Sequence, residues 1–184
     1  MNQTIGSIRN TESVEEIVSR LCVSVADYPK PGIEFRDLTP VFADGPALRA
    51  VVDALITPFE GQFDAIAGVE ARGFLLASAA AYASECGLIT VRKPGKLPRR
   101  VFSEPYELEY GSAALEIHRD DLRPGTRVLI LDDVLATGGT LAAASRLFER
   151  ADVHVAGFGV VLELGELRGR AALAGRRVRS LVRG

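Results

Sequence analysis

The segment Val128-Leu129-Ile130-Leu131-Asp132-Asp133-Val134-Leu135-Ala136-Thr137-Gly138-Gly139-Thr140 concentrates groups able to do chemistry. Ionised, Asp132 and Asp133 only accept hydrogen bonds, which suits the vicinal hydroxyls of a sugar and repels a phosphate. Gly138 and Gly139 carry no Cβ, so their backbone N–H groups can approach a phosphate closely and take positive φ where a turn requires it. The helix-forming run Leu141-Ala142-Ala143-Ala144 follows, and the unpaired N–H groups and dipole of a helix start favour an anion there. The hydroxyls of Thr137 and Thr140 can donate to the same oxygens. Ala136 to Thr140 therefore reads as a phosphate cradle beside an acidic pair for hydroxyls, the two halves of a ribose 5-phosphate site. A plainer reading is an ordinary strand, turn and helix with an aspartate cap; it accounts for the glycines but less well for the whole combination. The lysine of G-x-x-x-x-G-K-[ST] is absent, which disfavours a nucleoside triphosphatase.

Elements on either side must hold this segment in place. Val128 to Leu131 predicts a buried strand, with the aspartates following at its carboxyl end. Ser13 with Glu16 has the spacing of a capping box, and Val14, Ile17, Val18, Leu21, Cys22 and Val25 repeat at helical period after it. Residues 27–44 contain Pro29, Pro31, Gly32 and Pro40 and are expected to be an ordered loop. Pro46 suits the first turn of a second helix whose buried stripe runs from Leu48 to Phe59 and which Gly61 ends. Residues 63–69 predict a strand, 73–84 a helix of small residues and 88–92 another strand. Residues 93–110, with their prolines and charges, are expected to form a long mobile loop of the kind that serves as a lid. Strands follow over 112–118 and 127–131, joined by the turn Arg123-Pro124-Gly125-Thr126; then helix, strand, helix and strand through Val182. Strands alternating with helices imply an open, mostly parallel, twisted α/β sheet flanked by helices, with ligands beyond the strands' carboxyl ends.

Composition narrows the function. The chain has 184 residues, of which 47% are hydrophobic, enough for a single domain with a substantial core. Its formal net charge of −2 leaves no basic surplus for a nucleic-acid backbone. Six arginines from Arg168 to Arg183 alternate with apolar residues, as a solvated helix face and a last strand would. Met1 to Asn10 lacks the apolar core of a signal peptide, and no uncharged stretch reaches membrane-spanning length, so no membrane partner is expected. Cys22 and Cys86 fall in apolar helical patterns as buried small hydrophobes, which fits a reducing cytoplasm. No His, Cys or carboxylate grouping has metal-ligand spacing, and His118 and His154 read as structural or exposed.

Residues 128–140 resemble the phosphoribosyl pyrophosphate (PRPP) signature of the type I phosphoribosyltransferase family. Three further segments are similar to one branch of it, the adenine phosphoribosyltransferases. The first is Asp27-Tyr28-Pro29-Lys30-Pro31-Gly32-Ile33-Glu34-Phe35-Arg36-Asp37. The resemblance implies that Phe35 stacks on adenine while backbone groups of Glu34 and Arg36 read its edge. One backbone donor and one acceptor match N1 and the 6-amino group, and hypoxanthine reverses that pattern. Alone, the segment would pass for a proline-rich surface loop. Glu34 stands where relatives often carry an apolar residue.

The second segment is Gly68-Val69-Glu70-Ala71-Arg72-Gly73-Phe74, where a guanidinium among glycine-flanked amides suits a diphosphate; without the family, Arg72 reads equally as a helix-start surface residue. The resemblance implies that Glu70, Ala71 and Arg72 contact PRPP, Arg72 on the diphosphate as a catalytic residue, with a cis peptide at Glu70–Ala71. The third covers Val91 to Gly111, similar to the family's flexible hood. Arg92 and Lys96 would there help neutralise diphosphate, and Glu109 and Tyr110 would sit near the purine's imidazole ring as catalytic residues.

The family therefore implies transfer of a phosphoribosyl group from PRPP to adenine, giving AMP and pyrophosphate. It also implies Mg²⁺ held mainly by PRPP and water rather than by side chains, and a homodimer. Within one domain (1–184), residues 1–44 would form the N-terminal helix and base-binding loop and 93–111 the hood. Alternatives are transfer to another purine such as xanthine, or a non-catalytic PRPP- or purine-sensing regulator of the same fold.

Overall fold

A computed structural model describes residues 12–107 and 112–184. Helix α1 (Val14–Leu21) starts where the capping spacing predicts: Glu16 N–H donates to Ser13 Oγ at 3.2 Å, and Ser13 N–H donates to Glu16 Oε2 at 2.7 Å. It ends four residues before Val25. That residue belongs to β1 (Val23–Val25), which pairs antiparallel with β2 (Phe35–Asp37), Val25 lying opposite Phe35. Residues 27–44 are thus more regular than the loop expected. Their breakers collect at the tip of this ribbon and at Pro40 in the first turn of α2 (Thr39–Ala43), where a missing N–H costs nothing. The Tyr28–Pro29 bond at the tip is cis.

Helix α3 (Gly45–Ile56) is capped by Asp44 and stops before Gly61, because Pro58 tightens residues 57–59 into a 3₁₀ turn. Phe59 nonetheless remains buried. Five strands then form one sheet: β3 (Ala65–Val69), β4 (Gly87–Val91), β7 (Arg127–Leu135), β8 (His154–Glu163) and β9 (Val178–Arg183). Their order is β4-β3-β7-β8-β9 and every pairing is parallel. Alternate residues of the central strand feed two cores. Leu129 and Leu131 pack with α1, α3 and α4 (Gly73–Ala83), while Val128 and Ile130 pack with α5 (Gly139–Arg150).

Strand β7 is longer than its apolar run suggested, so Asp132 and Asp133 lie within it rather than beyond it. The ladder between β7 and β8 continues to Leu135↔Glu163, whereas that between β3 and β7 stops at Gly68↔Leu131. A crevice opens on the β3 side, beside the two aspartates.

Within the loop expected over 93–110, residues 101–107 are instead a strand. Strand β5 (Val101–Glu107) pairs antiparallel with β6 (Ser112–His118), from Val101↔His118 to Glu107↔Ser112. Phe102 and Tyr106 pack on the second core, and Glu104 reaches Arg146 at 2.7 Å and Arg150 at 3.0 Å on α5. Those attachments order a segment whose charges and Pro105 suggested a free loop. The helix expected between β8 and β9 is instead two 3₁₀ turns, Gly165–Leu167 and Gly169–Leu173, hinged at Arg168 with φ of 50°. Cys22 follows the last residue of α1 and Cys86 lies in the turn after α4, so both are outside helices and only partly buried.

Candidate active site

Three adjoining cavities line the crevice at the carboxyl ends of β3 and β7. The smallest, about 70 Å³, is walled by Asp132, Ala136, Thr137, Gly138 and Thr140. Gly138 makes the turn into α5 with φ of 82°, a conformation that L side chains rarely adopt. No side chain caps this helix, leaving its first N–H groups for a ligand. A Cβ on Gly138 would also collide with the carbonyl oxygen of Gly169 behind the turn.

The second cavity, about 470 Å³, includes Glu70, Ala71, Arg72, Lys93, Asp132 and Asp133 in its walls. The Glu70–Ala71 peptide is cis. Close packing brings Arg72 here: a Cβ on Gly73 would lie 2.7 Å from the Leu131 carbonyl oxygen and 3.1 Å from Asp132 Oδ1. Only a glycine lets α4 begin against β7, so Gly73 serves helix–strand contact. Arg72 Nε then sits 2.7 Å from Asp133 Oδ2, and its guanidinium carbon 5.1 Å from the centre of the Phe35 ring. The angle to Asp133 is poor for a hydrogen bond, and that buried oxygen keeps unused accepting capacity.

Burial first, and Asp133 beside it second, push the Asp132 carboxyl well above the usual carboxylate range. Asp133 N–H donates to Asp132 Oδ1 at 2.9 Å. At the far side, Glu70 gathers the basic residues: Arg92 Nε is 3.5 Å and Lys96 Nζ 4.0 Å from its carboxylate. A hydrogen bond from Lys93 N–H, followed in weight by the Arg92 side chain, holds Glu70 below its ordinary pKa.

The third cavity, about 300 Å³, adjoins Arg72 and Asp133 and is walled by Ile33, Glu34, Phe35, Arg36, Ala136 and Leu164. Tyr28 meets Phe35 edge-on at 5.2 Å. The Glu34 side chain turns away to Ser24 and to Arg36, 3.7 Å off, so it forms no simple apolar wall. Leu164 was not among the residues singled out by sequence. Its position just past the carboxyl end of β8 is the signal that could have found it.

The structure therefore gathers Glu34, Phe35, Arg36, Glu70, Ala71, Arg72, Asp132, Asp133, Ala136, Thr137, Gly138 and Thr140 around one crevice. Gly139 opens α5 beside them, and Arg92 and Lys96 lie at its edge. Glu109 and Tyr110 lie outside the described residues. Among the described residues, no three His, Cys, Asp or Glu side chains could hold a metal between them. Two adjacent carboxylates, one raised in pKa chiefly by burial and then by its neighbour, the other with a spare buried oxygen, fit a hard cation brought in on ligand oxygens.

The model of the phosphoribosyl transferase domain matches residues 43–174. An adenine phosphoribosyltransferase of Renibacterium salmoninarum is 75% identical over 172 residues, covering 94% of each chain. The crystal structure of an adenine phosphoribosyltransferase from Thermoanaerobacter pseudethanolicus superposes with a TM-score of 0.89 at 43% identity, covering 94% of this chain and 100% of the other. The enzyme from Saccharomyces cerevisiae, solved with an imino-altritol bisphosphate and adenine, gives a TM-score of 0.86 at 35% identity over 92% and 98% of the two chains.

Proposed function

The chain belongs to the phosphoribosyltransferase family, and from that premise we propose the reaction it performs: transfer of 5-phosphoribosyl from PRPP to N9 of adenine, giving AMP and pyrophosphate in purine salvage. The observation that carries this reading is three adjoining cavities with sizes and walls suited to a phosphate, a diphosphate and a purine: the last two share Arg72 and Asp133, and the first joins them through Asp132 and Thr140 on one side and Ala136 on the other.

The backbone amides of Ala136 to Thr140 hold the 5′-phosphate, with the hydroxyls of Thr137 and Thr140. Asp132 and Asp133 accept from the 2′- and 3′-hydroxyls, so Asp133 gives up part of its contact with Arg72 when PRPP binds. Arg72 then turns its charge to the diphosphate, joined by Arg92, Lys96 and the amides around Glu70 and Ala71. Phe35 stacks on adenine, backbone groups of Glu34 and Arg36 read its edge, and Leu164 adds apolar wall.

As the bond from C1′ to diphosphate stretches, positive charge builds on the ribose and negative charge on the leaving oxygens. Fixed charges and positioning supply much of the rate. Glu109, with Tyr110 beside it, takes or relays a proton near N7 as N9 becomes nucleophilic. Closure of the hood over the site keeps water from the ribose. Mg²⁺, when bound, would be held mainly by PRPP oxygens and water near Asp132 and Asp133, and would supply Lewis-acid stabilisation of the leaving group. The active form is a homodimer in the cytoplasm. Leu75, Tyr82 and Leu88, all exposed, offer apolar surface for a second copy, and the two free thiols suit a reducing compartment.

Mixing the protein with PRPP, Mg²⁺ and each of adenine, hypoxanthine, guanine and xanthine tests this. Pyrophosphate release is expected with adenine and at least a hundredfold slower with the oxopurines. Equal rates would overturn the base assignment, and no release with any purine would overturn the enzyme.

A further inference from the structure

The turn that holds the phosphate does not stand by itself. Directly behind it runs the 3₁₀ turn Gly169–Leu173, in which Gly169 is buried. A Cβ on Gly169 would overlap the carbonyl oxygen of Ala136 and come within 2.9 Å of Gly138 N. A Cβ on Gly138 would in turn overlap the Gly169 carbonyl oxygen and lie 2.9 Å from Ala172 Cβ. Two backbones therefore cross in direct contact, each through a glycine, at the atoms that shape the cradle.

The backing turn is itself anchored. Arg170, adjacent to Gly169, grips Glu163 with two parallel bonds, Nε to Oε1 at 2.9 Å and Nη2 to Oε2 at 2.6 Å. The same guanidinium donates to Val178 O at 3.1 Å and Ser180 Oγ at 3.1 Å, and Ser180 Oγ donates to Glu163 Oε2 at 2.7 Å. Arg183 Nε adds a contact at 3.2 Å. Glu163 is 7% exposed and lies at the end of β8, opposite Leu135 at the end of β7. Its carboxylate thus ties the backing turn to the carboxyl ends of β8 and β9. Leu173, 2% exposed, anchors the other end of the turn in the second core. A fork of two charge-assisted bonds fixes both distance and orientation, and a preformed loop loses less freedom when it closes on an anion.

We propose that Gly169 and the Glu163–Arg170 pair are positioning residues for the phosphate, setting the backbone of Ala136 to Gly138 from behind without touching the ligand. The inference rests on the assignment of residues 136–140 to the 5′-phosphate and extends it to a second layer. It implies a specific asymmetry: disturbing this layer weakens PRPP binding and spares adenine binding.

Titration calorimetry with PRPP and, separately, adenine tests it on Gly169→Ala, Arg170→Gln, Arg170→Lys and Thr140→Ala. Gly169→Ala and Arg170→Gln are expected to raise the Kd for PRPP at least tenfold with adenine within twofold, and Arg170→Lys to recover part of the loss. A purely structural role would lower the melting temperature and the folded fraction while leaving both Kd values of the folded protein unchanged, which overturns the inference. If Gly169→Ala does not fold, the Arg170 pair of variants decides by the same criteria. Thr140→Ala separates the premise from the inference. If it weakens PRPP and the backing variants do not, the positioning role alone fails; if it leaves PRPP unaffected, the phosphate assignment fails and the inference with it.

Discussion

The phosphate side and the base side of the crevice are built in opposite ways. The phosphate side is main chain at the end of the central strand, pressed between α5 and the turn behind it, where even a methyl group does not fit. The base side hangs on a two-stranded ribbon whose β1 residues are all exposed, and is shaped by side chains: Phe35 under Arg72, Glu34 drawn off to Ser24 and Arg36. A phosphate offers several equivalent oxygens to any well-spaced set of amides, so a rigid backbone suffices. A purine must be told from other purines by edge and face, and that requires an aromatic face for the ring with a donor and an acceptor set along its edge.

The largest expected effect falls on the rigid side. Glu163 is depressed to about 2, chiefly by hydrogen bonds from Arg170. A lowered carboxyl pKa stabilises the fold above its unfolded value of about 4.5, and that stability is lost as pH falls toward 2. Glu163→Gln is expected to cost of order 3 kcal/mol near neutral pH. It should also flatten the loss of melting temperature between pH 4.5 and 2; an unchanged acid profile would show that the pair contributes nothing. Next, Glu109→Ala is expected to lower turnover well over tenfold with PRPP binding within a few-fold; equal losses in both would point to a structural role for Glu109. Asp133→Asn should weaken PRPP about tenfold and adenine less than threefold, and unchanged PRPP affinity by calorimetry would count against the hydroxyl assignment. Smallest, Phe35→Ala should raise the KM for adenine about fivefold and leave that for PRPP within twofold. An equal rise in both would break the division between the two sides.

Much of this arrangement was readable in the residues. Asp132, Asp133 and the Thr137 to Thr140 turn announce themselves because phosphate and hydroxyl recognition needs particular residue types at close spacing on a single strand and turn. Ser13 with Glu16, and the apolar run of β7, are equally local signals. Leu164 and Gly169 were missed because neither lies in a motif: each matters only through a partner about 30 to over 100 residues earlier in the chain. Residues 101–107 were misread as loop because their charges look solvated until Arg146 and Arg150 of α5 meet Glu104. The 27–44 segment was misread because prolines at a ribbon's tip look the same in sequence as prolines throughout a loop.

By itself, the sequence determined which chemistry the chain carries and the strand–turn–helix that presents it, since both depend on neighbours within about a dozen residues. Tertiary structure alone decided that β7 runs on through its aspartates, held by β8, and that Arg72 reaches Asp133 across the face of Phe35. It also decided that one glycine backs another across the cradle. The physical reason is that strand length, ion pairing and close backbone approach are set by what lies alongside, and packing brings those neighbours from remote parts of the chain.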